Sequence, residues 1–154
     1  MARRIAVLIG VLAAVIAGLV ALPAPAQAAD RNGVCETGEL CLWQNTGFRA
    51  GRYDAFYSVA YMSSRSYVAA CSTRCSLNES VSSLANYDRV HWVRLFEHAN
   101  YSGLYFWRDH YTTTNDLDRA YDLTIDRDQN GLPWNDRFSS FCFVSPQGPS
   151  PRCH

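Results

Sequence analysis

Lysine is absent from this chain, and all 14 of its basic residues are arginines. That bias alone carries no functional reading, but other absences exclude more. After residue 28 no apolar run approaches the roughly 20 residues a membrane-spanning helix needs. The mature chain is therefore expected to be free of the membrane. No stretch repeats its apolar residues at a helical period, apart from one turn's worth at 117–121. There is no G-x-S-x-G, no H-E-x-x-H and no glycine-rich phosphate loop. His91, His98, His110 and His154 are scattered without ligand spacing. Nothing in the pattern brings Asp109, Asp116 and Asp118 together as an acid–base pair. No enzyme is expected.

What is present begins with an address. Arg3 and Arg4 precede an apolar run over 5–22, which Pro23 and Pro25 break before Ala26-Gln27-Ala28. A cationic start, an apolar middle and a small-x-small end describe a secretory signal peptide over 1–28. The alternative is a membrane anchor, since the run is just long enough to span. Cleavage leaves a single domain over 29–154, of a size that supports one core. Two arginines leave with the leader, so twelve basic residues face fourteen acidic ones and the formal charge becomes −2. A slightly acidic, secreted, extracellular domain does not suit nucleic acid as a partner.

Six cysteines remain, at 35, 41, 71, 75, 142 and 153. An even number in a small exported domain reads as a disulfide framework, for which six cysteines permit fifteen pairings. Local spacing favours Cys35–Cys41, Cys71–Cys75 and Cys142–Cys153. Zinc is the alternative, but Cys-x5-Cys and Cys-x3-Cys depart from the usual ligand spacing.

The mature chain also repeats itself. Trp43, Phe48 and Gly51 recur as Phe96, Tyr101 and Gly103, with the aromatics offset by 53 residues. Asn78-Glu79-Ser80-Val81-Ser82-Ser83 recurs as Asn135-Asp136-Arg137-Phe138-Ser139-Ser140, offset by 57. Ordered features at nearly constant offset mean a duplicated supersecondary unit. Leu40 and Leu42, then Val93 and Leu95, alternate as half-buried strands do. Gly51 and Gly103 mark sharp bends where a positive φ is expected. Further strands are expected at 52–56 and 104–107, and at 84–87 and 141–144. Weaker ones are expected at 57–61 and 123–126. Four strands per copy make a Greek key, one over about 35–90 and one over 91–145, with a disulfide-tied tail at 146–154. Two such units pack as an all-β sandwich.

Phe96-Glu97-x3-Tyr101-x-Gly103 followed by Asn135-Asp136-x2-Ser139-Ser140 resembles the signature of the βγ-crystallin Greek key. The first copy departs from it: Gln44 stands where Glu is usual, Gly51 is one position late, and Glu79 replaces Asn or Asp. With paired cysteines, export and Pro133-Trp134-Asn135-Asp136, the chain is similar to the Streptomyces metalloproteinase inhibitor family.

The crystallin resemblance implies two Ca²⁺ sites. Asp136, Arg137 and Ser139 would form one, Glu79, Ser80 and Ser82 the other, completed by carbonyls near Gln44 and Glu97. Oxygen ligands on loops suit calcium, and so few carboxylates imply a dissociation constant of roughly 10⁻⁴ to 10⁻³ M. The competing reading is structural, with serines and asparagine bonding turn backbone. Asp126-x-Asp128-x-Asn130-Gly131 opens like an EF-hand loop, but Arg137 holds the position of the bidentate glutamate and no helices flank it.

The inhibitor resemblance implies an extracellular protease as partner and a monomeric, non-enzymatic mode of action. An inhibitor presents a rigid loop, because rigidity lowers the ordering cost of binding. Ser72-Thr73-Arg74 inside a Cys71–Cys75 ring is the first candidate; residues 146–152, with Pro146, Pro149 and Pro151, are the second. The alternatives to inhibition are a calcium-binding crystallin module in stress, cell-wall or toxin-like roles, and a carbohydrate-binding module using Trp43, Trp92, Trp107 and Trp134.

Overall fold

The computed structural model describes residues 29–68, 70–71, 75–118, 132–145 and 153. The segment expected to be a signal peptide, 1–28, and the EF-hand-like run at 126–131 lie outside them. Strands β1 (Leu40–Asn45), β2 (Arg49–Ala55) and β3 (Ser83–Asn86) come from the first repeat. The second supplies β4 (Trp92–His98), β5 (Ser102–Arg108), β6 (Thr112–Thr114) and β7 (Ser140–Val144). One short 3₁₀ turn, Met62–Ser64, lies between β2 and β3. Among the described residues no helix is long and apolar enough to cross a membrane.

The strands form two antiparallel sheets, ordered β2-β1-β3-β6 and β5-β4-β7. Each repeat lends its third strand to the other's sheet. β6 pairs with β3 of the first repeat, and Val59 of the first repeat bridges Phe141 of β7. The stretch expected as a strand at 57–61 is thus reduced to one bridge. The strand expected at 123–126 lies outside the described residues, and β6 fills that role. Three threonines carry too little apolar signal to mark a strand in sequence. The turn suggested at 117–121 falls mostly outside the described residues, and Leu117 is a fully buried core residue.

Alternation sends Leu40, Leu42, Tyr53 and Leu84 of one sheet and Val93, Leu95, Phe106, Phe141 and Phe143 of the other into a shared core. Trp134 and Phe138 stack at 5.7 Å and close one end over Phe106.

The hairpin tips repeat residue for residue. Gly47, Phe48 and Ala50 have positive φ, as do Asn100, Tyr101 and Gly103. Gly103 therefore meets its expectation (φ 83°), whereas in the first copy Ala50 (φ 63°), not Gly51, takes the left-handed bend. Gly51 is required for space: a Cβ there would lie 2.9 Å from Cβ and Cγ of Tyr67.

The three local cysteine pairs are the disulfides formed, which leaves no thiolate for zinc. Cys35–Cys41 ties the segment before β1 to the outer face of the first sheet. Asp54 holds the same segment by accepting the Asn32 and Gly33 N–H groups at 2.7 and 2.9 Å. Beside it Glu39, with no exposed surface, accepts the Glu36 N–H at 2.6 Å, while its Oε1 has no partner. Burial pushes Glu39 up to about 7; the Glu36 N–H opposes this, and Asp54, Glu36 and Asp30 add to it.

The folded state holds that proton more tightly than the unfolded chain. The stabilisation linked to Glu39 is complete below about pH 4.5 and is lost as pH rises through about 7. Glu39→Gln should flatten this dependence, narrowing the loss between pH 5 and 8 by about 2–3 kcal/mol. Urea unfolding at the two pH values checks it, and an unchanged slope would contradict the assignment.

Candidate functional site

Between the 3₁₀ turn and β3 the chain folds back on itself as a two-stranded stem. The Tyr67 N–H bonds Cys75 O at 2.9 Å, the Leu77 N–H bonds Arg65 O at 3.0 Å, and Ser66 bridges Ser76. Cys71–Cys75 closes the ring at its end, with Cα atoms 5.5 Å apart. The stem is fixed at three places. The Val68 N–H bonds Arg52 O of β2 at 2.8 Å. Tyr67, 6% exposed, lies on Gly51 and donates its hydroxyl to Ser80 O at 2.7 Å. Cys71 packs against the main core. Ser72, Thr73 and Arg74, the residues the ring encloses, lie outside the described residues, as does the second candidate loop at 146–152.

The repeated hexapeptides occupy the end of the sandwich where the hairpins turn. Their sixth residues are structural. Ser83 Oγ donates to Asn45 O at 2.7 Å and accepts the Phe48 N–H; Ser140 Oγ donates to His98 O at 2.6 Å and accepts the Tyr101 N–H. The other positions reach across. The Asp136 N–H bonds Val81 O at 3.1 Å and the Glu79 N–H bonds Phe138 O at 2.9 Å. This regroups the oxygens expected from each hexapeptide alone. Ser82 Oγ lies 2.8 Å from Gln44 O and 3.4 Å from Asp136 Oδ1, so Gln44, Ser82 and Asp136 form one set. Glu79 Oε1 lies 3.5 Å from Ser139 Oγ, whose own N–H bonds Phe96 O beside Glu97. Ser80 joins neither set, since its carbonyl accepts from Tyr67 and its hydroxyl donates to Ser76 O.

Ser82 of the first set lines an open depression of about 440 Å³ together with Asp118, Asn135 and Arg49. Asn135 Oδ1 is buried there without a partner. Burial raises the Asp136 carboxyl; Ser82 and Asn135 oppose this by bonding it, and Asp118 adds to the rise. A buried amide oxygen without a partner beside a carboxylate, a hydroxyl and a carbonyl is a donor set that a hard cation would satisfy. Among the described residues no three His, Cys, Asp or Glu side chains gather as metal ligands, so carbonyl, amide and hydroxyl oxygens would carry much of the load.

The second set differs. Arg137, expected as one of the residues holding a cation, brings a guanidinium of its own and forms an ion pair with Glu97.

The sequence profile of peptidase inhibitor family I36 matches residues 28–108. That stretch is more than half of the chain and contains the whole stem and the Cys71–Cys75 ring. The chain belongs to peptidase inhibitor family I36. The fold of this I36 protein is that of the βγ-crystallins. A solved structure described as "Evolution of the eye lens beta-gamma-crystallin domain fold" superposes with a TM-score of 0.53 at 17% identity, covering 74% of this chain and 93% of the other. An archaeal βγ-crystallin gives 0.45 at 18% identity, covering 69% and 96%. No curated protein matches the chain.

In this I36 protein, Trp43 and Trp134 are 7% and 4% exposed, and Trp92 stacks on Trp107 at 5.0 Å. Two of the four tryptophans of the sugar-platform alternative are thus core residues. Sequence reasoning missed Tyr67 and gave Gly51 a bend rather than the seat for Tyr67, because the two meet only in space. It also missed the place of Asp118 and Asn135 beside the first oxygen set. Gly51→Ala should drive Tyr67 off its seat and cost about 1–3 kcal/mol, the usual range for an overpacked core. A shift in the urea midpoint with an unchanged slope would register it.

Proposed function

We propose that this protein is a secreted, monomeric, non-enzymatic inhibitor of an extracellular metalloendopeptidase, and that the Cys71–Cys75 ring is what it presents to the enzyme. The observation that carries the reading is the stem. A disulfide ring of sequence separation 4 stands on paired backbone, with Tyr67 locked beneath it and Cys71 packed on the core. Such a ring enters a protease cleft with little conformational entropy left to lose. A bond cleaved within it leaves both ends tethered, so the products stay in place and religation competes with release. Ser72, Thr73 and Arg74, which the ring encloses in sequence, are the residues this reading assigns to the contact with the enzyme.

Residual activity of a thermolysin-like enzyme at nanomolar to micromolar protein tests this. Inhibition is expected, and Cys71→Ser with Cys75→Ser should weaken it at least a hundredfold. The same pair of changes costs only about 2 kcal/mol of stability, because the ring is small. Undiminished inhibition by the folded double variant, or no inhibition of metallo-, serine or cysteine proteases, would remove the reading.

A second reading is favoured by the oxygens of Gln44, Ser82 and Asp136 with the orphaned Asn135 Oδ1. These residues are suited to hold Ca²⁺, which would stiffen the loops between the repeats. Calcium at a hundred times its dissociation constant should add about 2.7 kcal/mol over chelator-treated protein. An unchanged melting transition would leave the hexapeptides with a purely structural role.

A further inference from the structure

We propose that Arg137 is a resident cation that closes the second oxygen set, so that the molecule takes up one divalent ion rather than two. This rests on the calcium reading above and concerns how many sites that reading leaves open.

The two repeats provide an internal comparison. Gln44 of the first corresponds to Glu97 of the second, and Ser80 to Arg137. At both positions the first repeat is neutral and the second charged, with opposite signs, and the two charged side chains pair with each other. The guanidinium is held on further sides. It donates to Pro133 O at 3.2 Å and Leu132 O at 3.3 Å, and it lies over the Trp134 ring at 5.0 Å. Arg137 lines one depression of about 330 Å³ with Glu97 and Glu79, and with Asp136 of the first set, so its charge sits between the two carboxylates that would otherwise attract a metal to the second set. A divalent ion entering there meets a fixed positive charge a few ångströms away. Making room means breaking a charge-assisted pair and leaving Glu97 with less than its full complement of donors. Ser80, the matching residue of the first repeat, belongs to neither set and bonds Tyr67 and Ser76, and no guanidinium bonds Asp136 among the described residues.

Calorimetric titration of the chelator-stripped mature protein with calcium chloride tests the count. Wild type should bind one ion, and Arg137→Ser, which installs the residue of the other repeat, should bind two. Ser82→Ala should abolish binding in wild type and leave one ion in the Arg137→Ser background. Without calcium Arg137→Ser should melt lower than wild type, and calcium should raise its melting temperature by more than it raises wild type's. Two ions in wild type, or one in a folded Arg137→Ser variant, overturns the proposal and leaves the calcium reading standing. No uptake by either protein removes both.

Discussion

The exchange of strands between the two repeats is the constraint on which the rest of the molecule depends. β6 completes the sheet built on β3, and the chain at Val59 bonds β7 through a reciprocal pair of hydrogen bonds with Phe141. Neither repeat can bury its apolar face alone, and neither can satisfy its edge backbone alone. Stability is therefore a property of the pair, as in other duplicated units whose halves share one core. The hairpin tips follow the same rule: the Asn100 N–H bonds Ala60 O, and the Gly47 N–H bonds Asn115 O, each tip reaching into the other repeat's crossing segment.

That exchange also explains where chemistry can occur. The segments that cross between sheets converge with the hairpins, and the hexapeptides that start the last strands face each other there. Interlocking places Asp136 of one repeat on Ser82 of the other, and Glu79 on Ser139. The pairing is symmetric in backbone and asymmetric in charge. A duplicated fold can thus keep one architecture while its two equivalent loops diverge, because the third residue of each hexapeptide takes its own partners, Ser80 with Ser76 and Tyr67 and Arg137 with Glu97.

Disulfides hold what the sandwich leaves out. Each of the three closes a local loop at a place where the chain leaves the paired strands: before β1, at the end of the stem, and after β7. In a domain of this size such staples limit the freedom of segments too short to bury a core of their own. The stem between β2 and β3 is the strongest case, since it is stapled at one end and anchored at the other by a tyrosine on a glycine. The stretch that matches family I36 includes this stem.

Much of the fold was legible from periodicity. The alternation of Leu40 with Leu42 and of Val93 with Leu95, the aromatic spacing and the two hexapeptides mark six of the seven strands closely enough to give two Greek keys. The cysteine spacing gives the three disulfides, because short loops close most readily. These are local properties, and local properties survive in a linear string. Other features were decided only when distant segments met. Thr112–Thr114 became a strand because Leu84–Asn86 offered it an edge, and Ala50 rather than Gly51 took the strained bend because Tyr67 needed the space above Gly51. The grouping of Ser82 with Asp136, and the closing of Arg137 on Glu97, likewise depend on interlocking between repeats. No spacing in the sequence encodes that approach, since it is set by which sheet each strand joins.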